Sequence, residues 1–320
     1  MRFFFALLAI FNSLSVSATQ WLKLDDKTHL IVPDVSARYL TSNQAILLGE
    51  KCAVVIDAHG DFTALENVVS EVKKRINLPI CHLISTSSDT EQILGMMLLA
   101  HHFPDANWYV PAHVSEQFPY YKNALKEKLD RFNKSLELSK ARFASQQNKA
   151  LQQRLKAAEQ RIEAWQKAEL SYPSSPVHTP IEIELGEHLI SLNALEGATG
   201  SDLIILSHFN SGLFAGLTAN SIPYVQDTDL ATWLTTLEQL RDSEEIVWLL
   251  PSQGKPFKIA ALHKPIHFLQ SVLKNESTEV PVSLVQLYKN DNITQTRLRL
   301  MYELAKTKQA QKMQKQGTVL

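Results

Sequence analysis

The 320 residues are 45% hydrophobic and 20% charged, enough apolar material to build one large globular domain or two small ones without disulfide or metal staples. With 32 basic and 33 acidic residues the net charge is −1, so no bulk field draws the chain to nucleic acid or to an anionic bilayer. That balance excludes general disorder and a polybasic nucleic-acid binder.

Residues 1–18 read as an export signal. Arg2 supplies one early cation, Phe3 to Phe11 an apolar stretch, and Val16-Ser17-Ala18 the small-x-small pattern before a cut. The apolar part is about nine residues long, too short to cross about 30 Å of hydrocarbon as a helix. A cleaved signal is therefore expected rather than an uncleaved anchor, with the mature chain starting at Thr19. Later apolar stretches are broken by charges, so no transmembrane segment is expected after signal removal. The expected location is outside the cytoplasm, the periplasm in a Gram-negative cell.

From Gln44 to Asp57 the pattern is strand, turn at Gly49-Glu50-Lys51, strand. Cys52-Ala53-Val54-Val55-Ile56 is a continuous apolar run of the kind found where both sheet faces are covered. Thr63 to Ile76 has helical spacing through Leu65, Val68, Val69, Val72 and Ile76, and ends in Lys73, Lys74 and Arg75, which suit a helix C-terminus. Ile80 to Ser85 is again a strand, completing a βαβ unit. Cys52 and Cys81 each lie five residues before the end of their strand, side by side if the strands are parallel. A disulfide and two buried thiols are the alternatives.

The alternation continues with a helix over Glu91 to His102 and a short strand over Trp108 to Pro111. Two strands between His188 and Leu206 flank the turn Glu196-Gly197-Ala198-Thr199-Gly200. A strand at Leu213 to Ala215, a helix at Leu230 to Arg241 and a strand at Ile246 to Leu250 follow. This is the pattern of an α/β domain. Phe118 to Tyr172 differs: it has no glycine, its one proline is Pro119, and it carries about twice as many basic as acidic residues. Leu125, Leu129, Phe132, Leu136 and Phe143 form one apolar seam, and Leu151, Leu155, Ala158, Ile162 and Trp165 a second, out of step across Ser145 to Asn148. A helical hairpin or one long helix with a phase shift is expected. Either stripe must be buried against itself, the core or a second chain.

Several of these segments resemble, in order, the landmarks of the metallo-β-lactamase superfamily: Gly49-Glu-Lys-Cys-Ala-Val-Val-Ile-Asp57, Leu78-Pro-Ile-Cys-His-Leu-Ile-Ser-Thr86, Gly197-Ala-Thr-Gly-Ser-Asp-Leu203, Leu213-Phe-Ala-Gly216, Trp233 and Pro251-Ser-Gln-Gly254. The nearest branch by this resemblance is the exported quinoprotein relay system zinc metallohydrolases. The resemblance implies an αβ/βα four-layer sandwich with the site at the C-terminal edges of the strands. Residues 19–117 and 173–275 would be its two halves, 118–172 a helical insertion and 276–320 a helical tail.

The same resemblance carries the metal-ligand positions onto this chain, where each is substituted. Thr86 to Gly95 read T-S-S-D-T-E-Q-I-L-G where the family pattern is T-H-x-H-x-D-H-x-x-G. The two histidines of H-x-H fall on Ser87 and Asp89, the aspartate on Glu91 and the next histidine on Gln92. Ala198 stands for the histidine of the second motif, Leu217 for the bridging aspartate and Gln253 for the last histidine. Zinc needs several imidazole or carboxylate donors, which Ser, Ala, Leu and Gln do not provide, so zinc is expected to be absent and no residue is assigned a catalytic role. A residual polar site remains at Asp57, His59, Asp89, Glu91 and Asp202. Asp89 or Thr90 is expected to cap the helix that follows. Ser207-His208 has no evident partner in sequence, and His178 and His188 default to structural roles.

The expected function is that of an exported pseudoenzyme acting as a binding or scaffold protein, with a protein partner or self-association through the insertion and no nucleic acid. The alternative is a hydrolase of the same fold with an unconventional or single-metal site.

Overall fold

A computed structural model describes residues 19–33, 41–144, 148–168, 172–173, 175–226, 228–275, 277–289 and 292–317. The expected export signal, residues 1–18, and residues 145–147 of the insertion lie outside the described residues.

Two sheets face each other. The first runs β1 (Thr19–Lys23), β2 (Thr28–Pro33), β3 (Gln44–Leu48), β4 (Ala53–Ile56), β5 (Ile80–Ile84), β6 (Asn107–Pro111) and β7 (Ser175–Val177) in spatial order. It is antiparallel from β1 to β4 and parallel from β4 to β7. The second holds β8 (Ile181–Glu184), β9 (Leu189–Leu195), β10 (Asp202–Ser207), β11 (Gly212–Gly216), β12 (Trp248–Pro251) and β13 (Phe257–Lys258), with β11 and β12 parallel and the other pairs antiparallel.

Side-chain alternation explains the apolar runs. Ala45, Leu47, Val54 and Ile56 point into the layer between the sheets, with Ile190, Leu192, Leu203, Ile205 and Phe214 opposite. Ile46, Ala53 and Val55 point the other way, under helices α1 (Phe62–Arg75) and α2 (Thr90–His102). Both faces are covered, so every position is apolar. The short α3 (Ala112–Glu116) leads into α4 (Phe118–Phe143) and α5 (Lys149–Lys167), which join the same outer layer. On the far side α6 (Leu230–Arg241), α7 (His263–Lys274), α8 (Val282–Leu287) and α9 (Asn292–Gly317) cover the second sheet around Trp233, Phe268 and Tyr302. Helix, sheet, sheet, helix is the four-layer order expected.

The insertion is a hairpin: α4 and α5 are separate helices packed together, joined by the ion pair of Lys140 with Glu159 at 2.6 Å. Its seams are largely consumed within the chain. Leu125, Leu129, Leu136, Ile162 and Trp165 are buried in the α1–α2 layer, Phe62 meets Trp165 edge-on at 5.4 Å, and the indole N–H of Trp165 donates to Glu66 at 3.0 Å. That packing accounts for these five seam residues within one chain, while Phe132, Phe143, Leu151 and Leu155 are half-buried. Strands β1, β2, β7, β8 and β13 are additions to the sequence reading.

Cys52, just before β4, and Cys81, on β5, are neighbours and free thiols. The buried-thiol alternative describes Cys52 alone, since Cys81 is only half-buried. A register shift between Ala53 and Val54 displaces the strands from simple opposition. Burial, then the neighbouring Cys81 thiol, pushes the Cys52 thiol up to about 12, which keeps it protonated and unreactive.

Candidate functional site

The strand ends β4, β5, β10, β11 and β12 converge between the two sheets. Chain leaves β5 through Thr86-Ser87-Ser88 and enters α2, whose N-cap Asp89 accepts from the Gln92 N–H at 3.1 Å. The backbone of α2 passes so close to the loop after β4 that a Cβ on Gly95 would lie 2.3 Å from the His59 carbonyl oxygen. This contact is why the frame ends in glycine. Gly95→Ala is expected to cost about 1–3 kcal/mol, read as a lower urea midpoint with an unchanged m-value. An alanine tolerated without loss would mean that the two backbones are further apart.

A cavity of about 290 Å³ opens here, lined by His59, Asp89, Glu91, Gln92, Leu217 and Gln253 among others, with Tyr224, Arg297 and Met301 on its outer wall. Arg297 and Met301 come from α9, so the C-terminal tail walls the cleft. Ser87 and Ala198 lie behind this lining, fully buried. Asp57 and Asp202 are also buried behind it and do not face the cavity.

Most of the polar groups here are engaged with one another across the two halves of the sandwich. The Ser87 hydroxyl donates to the Gln92 side-chain carbonyl at 2.5 Å, and the Gln92 amide donates to the Ser252 hydroxyl at 3.0 Å. Gln226 donates to Asp89 at 2.7 Å, and Ser88 to Thr199 at 2.9 Å. Thr199 in turn gives Asp202 both its N–H and its hydroxyl at 2.9 Å. Thr86 does the same for Asp57, at 2.7 Å each, where Asp57 holds a left-handed backbone with φ 62°.

Burial pushes the Asp57 and Asp202 carboxyls up to about 7, against the pull of the Thr86 and Thr199 hydrogen bonds. The Asp89 charge adds to the rise at Asp57, and that of Asp57 to the rise at Asp202. Asp89 is raised as well, again chiefly by burial. His59 goes the other way: burial brings it down to about 4, so its ring is neutral, and its Nδ1 has no partner.

Glu91 leaves this network. It tucks beneath Gly60 and pairs with Lys128 of α4. The Lys128 side chain is only 5% exposed, and its ammonium stands 5.2 Å from the Phe62 ring centre and 5.7 Å from that of Phe132. The insertion thus supplies the cation that meets this carboxylate. Of the residual polar positions, Asp89 raises Asp57 and Asp57 raises Asp202, His59 shares the cavity with Asp89, and Glu91 pairs with Lys128 while its charge adds to the rise at Asp89.

Two solved structures share the arrangement of sheets and helices. A metallo-β-lactamase from Pontibacter korlensis matches with a TM-score of 0.53 at 14% identity, over 79% of this chain and 99% of its own. The metallo-β-lactamase FIM-1 from Pseudomonas aeruginosa, in its mono-zinc form, matches with a TM-score of 0.55 at 12% identity, over 80% and 97%. The chain has the metallo-β-lactamase fold. No protein-family model and no curated protein matches the sequence.

The metallo-β-lactamase fold implies a zinc site, and the donor set tests its fit. Among the described residues no group of three or more His, Cys, Asp or Glu is placed to hold a metal ion. At the positions inferred from the resemblance, Gln92 and Ser87 bond to each other, Leu217 is a buried apolar side chain, and Glu91 is taken by Lys128. These residues do not fit zinc.

Sequence reasoning missed Lys128, which looked like one cation among many on a basic helix. It also missed the pairing of His188, just before β9, with Ser207 at the end of the adjacent β10, both fully buried. There the ring Nε2 lies 2.9 Å from the Ser207 hydroxyl and Nδ1 3.0 Å from the Leu48 carbonyl, a bond that places the proton on Nδ1. His208 bonds Ser191 at 2.6 Å. Nineteen residues separate His188 from Ser207, and the β9–β10 register alone brings them together.

Proposed function

We propose that this chain is an exported protein of metallo-β-lactamase fold that has lost its zinc site and works by binding rather than by catalysis, with the helical insertion as its recruiting element. One observation carries the reading: side-chain hydrogen bonds, Gln92 to Ser252, Gln226 to Asp89 and Ser88 to Thr199, tie the two halves together where a metal would otherwise clasp them. Donors spent on such bonds are not free to coordinate an ion. The sequence resemblance to exported quinoprotein relay metallohydrolases supports the location outside the cytoplasm.

A second reading, a hydrolase with an unconventional or single-metal site, draws on His59, whose neutral ring lines the cavity beside Asp89 with one nitrogen unpartnered.

Elemental analysis and a zinc titration of the mature chain separate the two. The expected result is zinc well under one equivalent per chain and a melting temperature that does not move as zinc is added. One tightly held zinc that raises the melting temperature, as any ligand selective for the folded state must, overturns the proposal.

A further inference from the structure

The hairpin has two unlike halves. Its base is anchored through Phe118, Tyr121, Leu125, Lys128, Leu129, Ile162 and Trp165. Beyond Leu136 on α4 and before Ile162 on α5, no described residue is buried, so the tip stands clear of the core by about 10 Å at 1.5 Å per residue. Charge divides along the same line. The base, 118–137 and 159–172, intersperses seven cations with six acids. Arg131 pairs with Glu127 at 3.9 Å, Lys167 with Glu163 at 3.9 Å and Lys128 with Glu91, while Lys122, Lys126, Lys134 and Arg161 pair with no carboxylate among the described residues.

Residues 138–158 hold Lys140, Arg142, Lys149, Arg154 and Lys156 and no acid at all. The flanking Glu137 and Glu159 are both spent on Lys140, at 3.0 and 2.6 Å. Arg142, Lys149, Arg154 and Lys156 are exposed and pair with no carboxylate among the described residues.

Folding alone does not account for this. Lys149 lies in the first turn of α5, where the helix dipole disfavours a cation and where no acid is present. Clustered like charges on a small projection also cost stability that interspersed acids would relieve. The remaining tip surface is Asn148, Gln152, Gln153, alanines and one exposed leucine, Leu138 at 72%, while Phe143, Leu151 and Leu155 are half-buried. It offers no row of exposed aromatics of the kind that anchors in a bilayer.

We propose that the tip of the α4–α5 hairpin is a docking surface for an acidic protein segment, rich in Asp and Glu, held by Arg142, Lys149, Arg154 and Lys156. This gives the binding role proposed above its partner chemistry and rests on that reading.

The test uses the mature full-length chain and a twenty-residue poly-L-glutamate peptide as probe, with binding measured at physiological salt. Two triple variants carry the same charge change: Arg142→Ala, Arg154→Ala, Lys156→Ala at the tip, and Lys51→Ala, Lys258→Ala, Lys289→Ala on exposed surface outside the hairpin. Exposed ion pairs contribute roughly 0.2–1 kcal/mol each, so the tip triple is expected to weaken the peptide about tenfold and the control less than about twofold.

Equal weakening by both triples, no measurable binding by the parent chain, or phosphatidylglycerol vesicles or duplex DNA binding as tightly as the peptide each overturns the docking proposal. Zinc measured on the same preparation keeps the outcomes apart. Lost docking in a zinc-free protein removes only the tip, whereas one tight zinc removes the binding reading itself.

Discussion

Asp202→Asn is expected to gain on the parent chain as pH rises, ending as stable or more stable at pH 8 after being the weaker protein at pH 5. Asp202 is buried and accepts two hydrogen bonds from Thr199, yet its carboxyl titrates near 7 because burial outweighs those bonds and the Asp57 charge adds to the rise. In the unfolded chain the same group titrates near 3.8. The folded state therefore holds an extra proton between those values. Stability from this group is fully present below 3.8 and is lost as pH rises through 7.

An amide does not titrate. At about 1.4 kcal/mol per pKa unit, the gap between variant and parent should close by about 2–3 kcal/mol between pH 5 and pH 8. At pH 5 the variant is weaker, because its carbonyl accepts from only one of the two Thr199 donors while its N–H₂ faces the other, at a cost of about 1–3 kcal/mol.

His59 titrates with the opposite sign: lowered to about 4, it contributes stability that is present above 6.5 and lost on acidification. It is common to both proteins and cancels in the comparison. Urea unfolding of the pair at the two pH values reads the effect directly, and a gap that stays constant or widens toward pH 8 would show that Asp202 is already ionised in the fold. Asp57→Asn should behave alike, since Asp57 also titrates near 7.

How far such a site is visible in sequence depends on the range of the interactions that make it. Strands β3 to β5 and helices α1 and α2 were legible because apolar periodicity and turn residues act over a few positions, whereas the landmarks at Gly197, Gly216 and Pro251 were read only through the family resemblance. A cap at Asp89 or Thr90 was legible from the same short-range signals, and Asp89 takes it. Strands β1 and β2 went unassigned: Thr19–Lys23 mixes polar and apolar residues, and its partners are fixed by register with β2 and β3.

The tertiary partners of the site were not legible. Gln92 meets Ser252 and Asp89 meets Gln226 across more than a hundred residues. Sequence showed which side chains stood at those positions, and only packing shows that they bond to one another. Glu91 is the sharpest case. By position it belongs to the cleft, while its partner Lys128 sits 37 residues on, in a segment that sequence read as an appended hairpin.

That pair makes an asymmetric forecast. Lys128 is enclosed, at 5% side-chain exposure, while Glu91 is 37% exposed. Glu91→Gln leaves an ammonium enclosed by the Phe62 and Phe132 rings without its counter-charge. The expected cost is about 2–3 kcal/mol, under the roughly 3–5 of a wholly buried pair, because the amide oxygen still accepts and the ring faces still attract the cation. Lys128→Met keeps the apolar stem between the rings and lets the carboxylate turn to water, so its cost should stay under about 1 kcal/mol.

The double variant should then match Lys128→Met alone, leaving a coupling energy of about 2 kcal/mol in a four-protein denaturation cycle at pH 7. The order of the two single variants is the decisive reading. If Glu91→Gln proves the milder change, the carboxylate spends its time in the cleft rather than on Lys128. It would then stand beside Asp89 and the unpartnered His59 nitrogen as a third donor, and the single-metal reading would regain the ligand it lacks.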